Sequence, residues 1–344
     1  MGDIVVAPFD PARMSDARLA ELTGLENAVA AERFPGDAAR PPSYYRAFYA
    51  EQAAAAEFGF SNWWALRNDH LVGRAVTMVR RTGDNAHGAH VGLMVAPGAR
   101  RRGIGRRLLS EALGAMRAEG RTHVTGTVIG PEPTTELPGS RFALQVGATP
   151  GLVERYYRLL LDHLDRDTLQ RWQQEGARRS PEVELVWRVE PFRDEEVPEV
   201  ARLMRATVND APRDALDEED WEITPDSVRE LDRVSFSLGP GRIALLARDR
   251  ARDRLVGYTV LEGDPVNAHV LWQWDTGVEP AARGRGLARW LKAEMLARVL
   301  RELPECHEVR ASNADSNAAI LSINHRLGFR PWVAECTWQM PVDP

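Results

Sequence analysis

The sequence predicts an α/β (α+β) protein built as a tandem of two domains, and three observations carry that prediction. One short pattern is written twice, as Val95-Ala96-Pro97-Gly98-Ala99-Arg100-Arg101-Arg102-Gly103-Ile104-Gly105 and as Val278-Glu279-Pro280-Ala281-Ala282-Arg283-Gly284-Arg285-Gly286-Leu287-Ala288. Each copy follows an apolar run that reads as a strand and precedes a run of helical apolar spacing, so the glycines fall at a strand-to-helix turn. The chain of 344 residues is also longer than one ordinary core requires.

In the first copy, Ile4 to Ala7 reads as a short strand, and Ser15 to Ala31 and Ser43 to Ala55 as helices. Asn62 to Arg67 and His70 to Val79 read as a hairpin, because Asn68-Asp69 between them tolerates positive φ. His90 to Val95 is the strand before the glycine turn. After the turn, Leu108, Leu109, Ala112, Leu113 and Met116 form one apolar helical stripe, and Thr122 to Ile129 is the next strand.

The second copy repeats the order. Val183 to Val189 reads as a strand, Asp194 to Ala206 and Asp226 to Phe236 as helices, Arg242 to Arg248 and Leu255 to Leu261 as a hairpin, and Val270 to Val278 as the strand before the turn. Leu287, Leu291, Met295, Leu296, Val299 and Leu300 make the following stripe. Asp162 to Pro181 is charged and ends at Ser180-Pro181, which suits a helical connector finishing in a linker. The expected division is therefore 1–161, a connector 162–182, and 183–344.

Composition narrows the function. A hydrophobic share of 44% supplies two interiors, and a net charge of −6 argues against general nucleic-acid binding, which needs many cations against phosphate. The first residues lack a basic, then apolar, leader pattern, and no run of 18 apolar residues occurs, so a cytoplasmic protein without a membrane partner is expected. Cys306 and Cys336 are too few for a disulfide framework and lack metal-site spacing, so both read as reduced thiols.

A glycine turn that opens a helix aims free backbone amides at an anion, with the helix dipole adding to them. Strand, then Val-x-Pro-x-x-Arg-x-x-Gly-x-Gly/Ala, then helix resembles the acyl-coenzyme A segment of the GNAT (Gcn5-related) N-acetyltransferases. Asn313-Ala314-Asp315-Ser316-Asn317 through Asn324-His325-Arg326-Leu327-Gly328-Phe329 is similar to that family's next helix. The arrangement as a tandem is similar to mycothiol synthase and other two-domain acyltransferases. The resemblance implies two GNAT domains, each a mixed, mostly antiparallel sheet with helices on both faces. It also implies acetyl-CoA or another acyl-CoA as co-substrate, with no metal.

By that resemblance, Arg283, Gly284, Arg285, Gly286, Leu287 and Ala288 hold the pyrophosphate, with Val278 main chain on the thioester and Asn317 on the coenzyme. In the first copy Val95, Arg100, Arg101, Gly103 and Gly105 stand in the equivalent places. Gly277 interrupts a strand of large residues, suggesting a bulge or a close approach. Gln273 and Asp275 share its face by alternation, which makes Asp275 the candidate base for an amine proton. Asn324 stands where many relatives carry a Tyr that protonates the thiolate; an amide side chain has no such proton to give, so it is expected to hydrogen-bond the sulfur or pantetheine.

The first copy has Glu136 in place of Asn317 and Ala143 in place of Asn324, so it is expected to bind coenzyme A without turnover or to serve as scaffold, the second copy being catalytic. His87 and His90 have no carboxylate or Cys at ligand spacing and read as packing or surface histidines. Glu279 and His325 read as solvated. Asp217-Glu218-Glu219-Asp220 would give the acceptor side an acidic mouth suited to a cationic amine. The expected activity is transfer of an acyl group, acetyl first, to a primary amine of a small molecule by direct attack in a ternary complex, from a monomer or homodimer. The alternatives are a non-catalytic acyl-CoA-binding or sensing protein and mycothiol synthase itself.

Overall fold

The computed structural model describes residues 3–81, 83–239 and 241–342. In chain order the first half supplies β1 (Ile4–Pro8), α1 (Asp16–Arg33), α2 (Pro42–Ala54), β2 (Phe58–Arg67), β3 (His70–Arg80), β4 (Gly88–Val95), α3 (Ile104–Ala118), β5 (His123–Gly130), α4 (Pro138–Gln145), β6 (Thr149–Leu160) and α5 (Arg166–Arg179). The second half supplies β7 (Val183–Arg188), α6 (Val197–Val208), α7 (Pro225–Leu238), β8 (Arg242–Asp249), β9 (Arg254–Gly263), β10 (Val270–Val278), α8 (Leu287–Glu302), β11 (Glu308–Ala314), α9 (Ala318–Leu327) and β12 (Arg330–Pro341). No described helix is long and apolar enough to cross a membrane.

Two compact units result, and they interleave along the chain. One is drawn from the first 153 residues, Arg213–Asp220 and the stretch from Val333 onward; the other takes Glu154–Pro212 and Trp221–Trp332. The first unit's sheet runs β1-β2-β3-β4-β5-β12, and the second's runs β6-β11-β10-β9-β8-β7. Strand β12, last in the chain, thus pairs antiparallel with β5, while β6 from the first half pairs antiparallel with β11. Each sheet contains one parallel pair, β4 with β5 and β10 with β11, and the other pairings within each unit are antiparallel.

Local chemistry accounts for the elements that position the sites. Asn68 and Asp69 both take positive φ, 50° and 64°, which lets two residues close the β2–β3 hairpin. On α3, Ile104, Leu108, Leu109, Ala112 and Met116 are buried in one core with strands of the first sheet. Full burial of a leucine such as Leu108 stabilises by roughly 1.5–3 kcal/mol, so this stripe fixes the helix against the sheet.

Helix α8 is buried more completely, including Trp290, Lys292 and Ala293. On the Trp290 side the cover is α5, which occupies the stretch read as a connector. Gly176 of α5 lies so close to Trp290 that an added Cβ would fall 2.2 Å from the indole, and Gln173 donates to Glu294 at 2.9 Å. The connector is therefore a packed helix of the second unit rather than a spacer.

Candidate functional site

Both glycine turns are built alike. Gly103 and Gly286 are the N-caps of α3 and α8, with φ of +78° and +85°, and neither helix has a side chain bonded to its first amides. The left-handed backbone is what demands glycine here, since a Cβ at Gly103 would meet nothing within 4 Å. The uncapped amides are left to face an anion. Gly105 answers to a different constraint, because its Cβ would press on the Phe142 ring of α4 at 3.3 Å. Where the second turn has Gly284 at φ +78°, the first has Arg101 at +63°.

The parallel pairs open into clefts. Strands β10 and β11 pair only over Val270–Gln273 and Glu308–Ala311, and β4 and β5 only over Gly88–His90 and His123–Thr125. Beyond these points the strands diverge. Glu279 donates its amide to Val256 on β9, so strand alternation turns the Val278 N–H and C=O the other way, toward the side β11 has left. Ala96 donating to Val72 on β3 does the same for Val95. Each cleft thus has a main-chain amide at its wall where an anionic oxygen would be stabilised.

Arg100 and Arg283, expected on the phosphates, are turned back onto the protein. Arg283 donates from Nε to the Val278 carbonyl at 3.0 Å and pairs with Asp210 at 2.7 Å. Arg100 repeats this, reaching the Val95 carbonyl at 3.1 Å and forking onto Glu32. Arg285 pairs with Glu182 and Arg289 lies over the Trp172 ring. The second turn's cations are therefore engaged, whereas Arg101 and Arg106 of the first have no ion-pair partner among the described residues. Exposed pairs of this kind are worth about 0–1 kcal/mol, so they can be broken at small cost.

In the second cleft, a register shift between Gln273 and Thr276 puts Trp274 and Asp275 on a bulge. The bulge breaks the alternation that would have given Gln273 and Asp275 one face. Gln273 is buried and donates to Thr259 and Val260, while Asp275 faces solvent through the cleft. Desolvation by the surrounding protein raises the Asp275 carboxyl above its ordinary range, and a hydrogen bond with Tyr258 opposes the rise. The buried Tyr258 hydroxyl also lies 3.1 Å from Thr207 Oγ1. Gly277 itself stays in register; it is glycine because a Cβ would strike Thr207 and the Tyr258 ring at 2.6–2.7 Å. Tyr258 and Thr207 carry no motif signal, since only pairing with β10 and packing of α6 bring them to Asp275.

The α9 asparagines are arranged differently from the expectation. Asn317 accepts from the Ile320 amide at 3.3 Å as the N-cap. Asn324 is fully buried and donates to Asn313 Oδ1 at 2.7 Å, while its own Oδ1 is buried with no partner. That orphaned acceptor, the uncapped helix and the splayed strands together fit a pantetheine arm, which brings amide donors. His325 is exposed against the Tyr157 ring. Lys292, buried within α8, has its Nζ 3.4 Å from Gln273 Oε1 and its pKa lowered by burial to about 7.

The first cleft is an open cavity of about 1140 Å³, lined among others by Val95, Arg101, Gly103, Gly105, Arg106 and Phe142. Gly92 stands where Asp275 stands in the second copy, so this cleft lacks the matching carboxylate.

Three expectations are corrected. Glu279 is not solvated; it pairs with Arg202 and Arg254. The acidic run, expected at an acceptor mouth of the second copy, falls in Arg213–Asp220 of the first unit, where Glu219 and Asn85 exchange hydrogen bonds. His87 does have carboxylate neighbours, Asp217 and Glu219, supplied from more than a hundred residues away.

The acetyltransferase (GNAT) family model matches residues 25–130 and 202–329. No curated protein matches the chain. Among solved structures, a tandem GNAT protein from the clavulanic acid biosynthesis pathway, without acetyl-CoA, is 26% identical over 99% of each chain, with a TM-score of 0.78. A GCN5-related N-acetyltransferase from Sphaerobacter thermophilus is 15% identical over 99% of this chain and 96% of its own, at 0.67. A glucosamine N-acetyltransferase region of a fungal GH3 β-N-acetylglucosaminidase is 14% identical, covering 99% of this chain and 38% of that one, also at 0.67. These last two share the fold.

Proposed function

The chain belongs to the GNAT acetyltransferase family, and on that premise we propose an acyl-CoA-dependent N-acyltransferase, acetyl being the expected group, acting on a primary amine of a small molecule. The reading assigns the transfer to the second unit and donor binding without turnover to the first. One observation carries the assignment: Asp275 sits on a bulge at the point where β10 leaves β11, beside Tyr258, while the first copy has Gly92 there.

Bound acyl-CoA supplies the activated acyl thioester. The amides that open α8 and the dipole behind them hold the diphosphate. The Val278 amide faces the cleft and stabilises negative charge on the acyl oxygen as the amine attacks. An ammonium must lose a proton first, and Asp275 accepts it directly or through water. Tyr258, fixed by Thr207, orients that carboxylate. No general acid is assigned; a thiol of pKa near 8.5 leaves without one at tolerable cost. The tandem neighbour from the clavulanic acid biosynthesis pathway supports a small-molecule acceptor.

A second reading, an acyl-CoA-binding protein without turnover, is favoured by the fully buried Asn324 and by the open first cleft, which has Gly92 where the second copy has Asp275. Thiol release from acetyl-CoA across a panel of small primary amines separates the two. Turnover that disappears in Asp275→Asn supports the transferase; donor binding with no turnover on any amine supports the binding protein.

A further inference from the structure

His87, His123 and Asp217 each offer a ligand atom, and these atoms lie within 4.8 Å of one another. All three belong to the first unit, at the end of β4 away from the glycine turn, about 26 Å along an eight-residue strand. We propose that this cluster is a binding site for a zinc-class divalent cation, with Glu219 or water completing the ligand set.

The site is built rather than fortuitous. His87 immediately precedes β4 and His123 opens β5. The His87 carbonyl accepts from the Thr122 amide at 2.8 Å, which ties the two histidines' backbones together. Their rings lie 4.7 Å apart at 39°. Across from them, the acidic segment is anchored on either side of its carboxylates. Gln339 accepts from the Asp217 amide at 3.1 Å and donates to the Ala215 carbonyl at 2.7 Å, while Glu219 and Asn85 exchange backbone and side-chain bonds. The Glu219 carboxylate is thereby held 4.0 Å from His87 Nδ1.

His123 has a ring nitrogen, Nδ1, buried without a hydrogen-bond partner, so the protein leaves part of this imidazole's valence unfilled. Gly88 fits the same picture: a Cβ there would stand 2.7 Å from the His123 ring and push it out of place.

The donor set selects the cation. Two imidazoles and one carboxylate suit Zn²⁺ and its transition-metal neighbours, whereas Mg²⁺ and Ca²⁺ prefer oxygen alone. Zinc bonds of roughly 2.0–2.1 Å place tetrahedral ligand atoms about 3.4 Å apart, so the present spread closes by side-chain rotation. The bound ion would clamp residues 213–220 onto the β4–β5 end of the first unit.

Untagged full-length protein stripped with EDTA and titrated with ZnCl₂ by calorimetry tests this. One equivalent per chain is expected, with a rise in Tm on addition, and Co²⁺ should give the visible absorption of a four-coordinate centre. Asp217→Asn, which alters an exposed carboxylate and leaves packing intact, should weaken uptake at least about tenfold and abolish the Tm gain. His123→Ala should weaken it further, and His307→Ala, from the stacked His269–His307 pair, should change nothing. Folded wild type that takes up no zinc, or uptake untouched by Asp217→Asn, overturns the proposal.

Discussion

Arg283 donates its Nε–H to the Val278 carbonyl at 3.0 Å, and 183 residues earlier Arg100 does the same to Val95 at 3.1 Å. The arginine written into both copies braces the carbonyl of Val278 or Val95, the residue whose own N–H faces the cleft, while the N–H of the same peptide, that of Glu279 or Ala96, is held by the neighbouring strand. With the following peptide pinned on both sides, the residue that presents its N–H to the cleft is fixed in place, and on the proposed reaction the arginine is expected to act on the acyl oxygen more than on the diphosphate.

Arg283→Lys keeps the charge and loses the planar donor that grips the carbonyl. Steady-state kinetics should show kcat down about tenfold with the donor KM within about twofold, as for an interaction made mainly in the transition state. A donor KM that rises while kcat holds would place the guanidinium on the phosphates instead.

Gly286→Glu forces a side chain into a left-handed position and sets a carboxylate against the site of the diphosphate. Turnover and one of two binding events for acetyl-CoA should both vanish. Gly103→Glu, at φ +78° in the first turn, should remove the other binding event and leave turnover in place. Calorimetric stoichiometry and thiol release, read side by side, check this; equal rate losses from both changes would reverse the assignment of roles.

These glycines, the Asn68-Asp69 hairpin and the α3 stripe were legible because each obeys a rule confined to a few neighbouring residues. Gln273 was not: one bulge moves it to the core and leaves Asp275 in the cleft, and alternation counts no bulges. Lys292 falls among apolar positions of α8 with no local sign of its burial, because its neighbours Gln273 and Phe329 come from elsewhere in the chain. Which strand pairs with β5 is decided by pairing across two hundred residues, so the place of β12 beside β5 has no local signal. The same distance hid Asp217 from His87.

Asp275→Asn should lower kcat by about a hundredfold or more, the usual range for a general base. Its raised carboxyl sets the acid limb of the wild-type rate profile above the ordinary carboxylate range, and the variant should lose that limb. The stability sign follows from the same shift. A raised folded-state value means the protonated form is favoured by folding below the unfolded value, and that gain is lost as pH rises through the folded value. At neutral pH the ionised group therefore opposes folding, so Asp275→Asn should cost rate without lowering Tm. A destabilised variant would mark Asp275 as a structural carboxylate.

Lys292 gives the opposite window. Burial lowers its pKa from 10.5 to about 7, with Gln273 Oε1 and the Phe329 ring facing its ammonium. The unfolded chain then binds the proton more tightly, so stability rises with pH between about 7 and 10.5 and the penalty is largest at and below pH 7. A shift of this size corresponds to roughly 3–5 kcal/mol there. Lys292→Met fills the same space without a charge, at a cost of about 1 kcal/mol for the partner left on Gln273. The variant should melt several degrees higher at pH 7, with the gain fading toward pH 10. Melts across that range decide it, because a gain that does not change with pH would mean that the ammonium is not the source, and no gain at all would mean that the buried lysine stabilises this core.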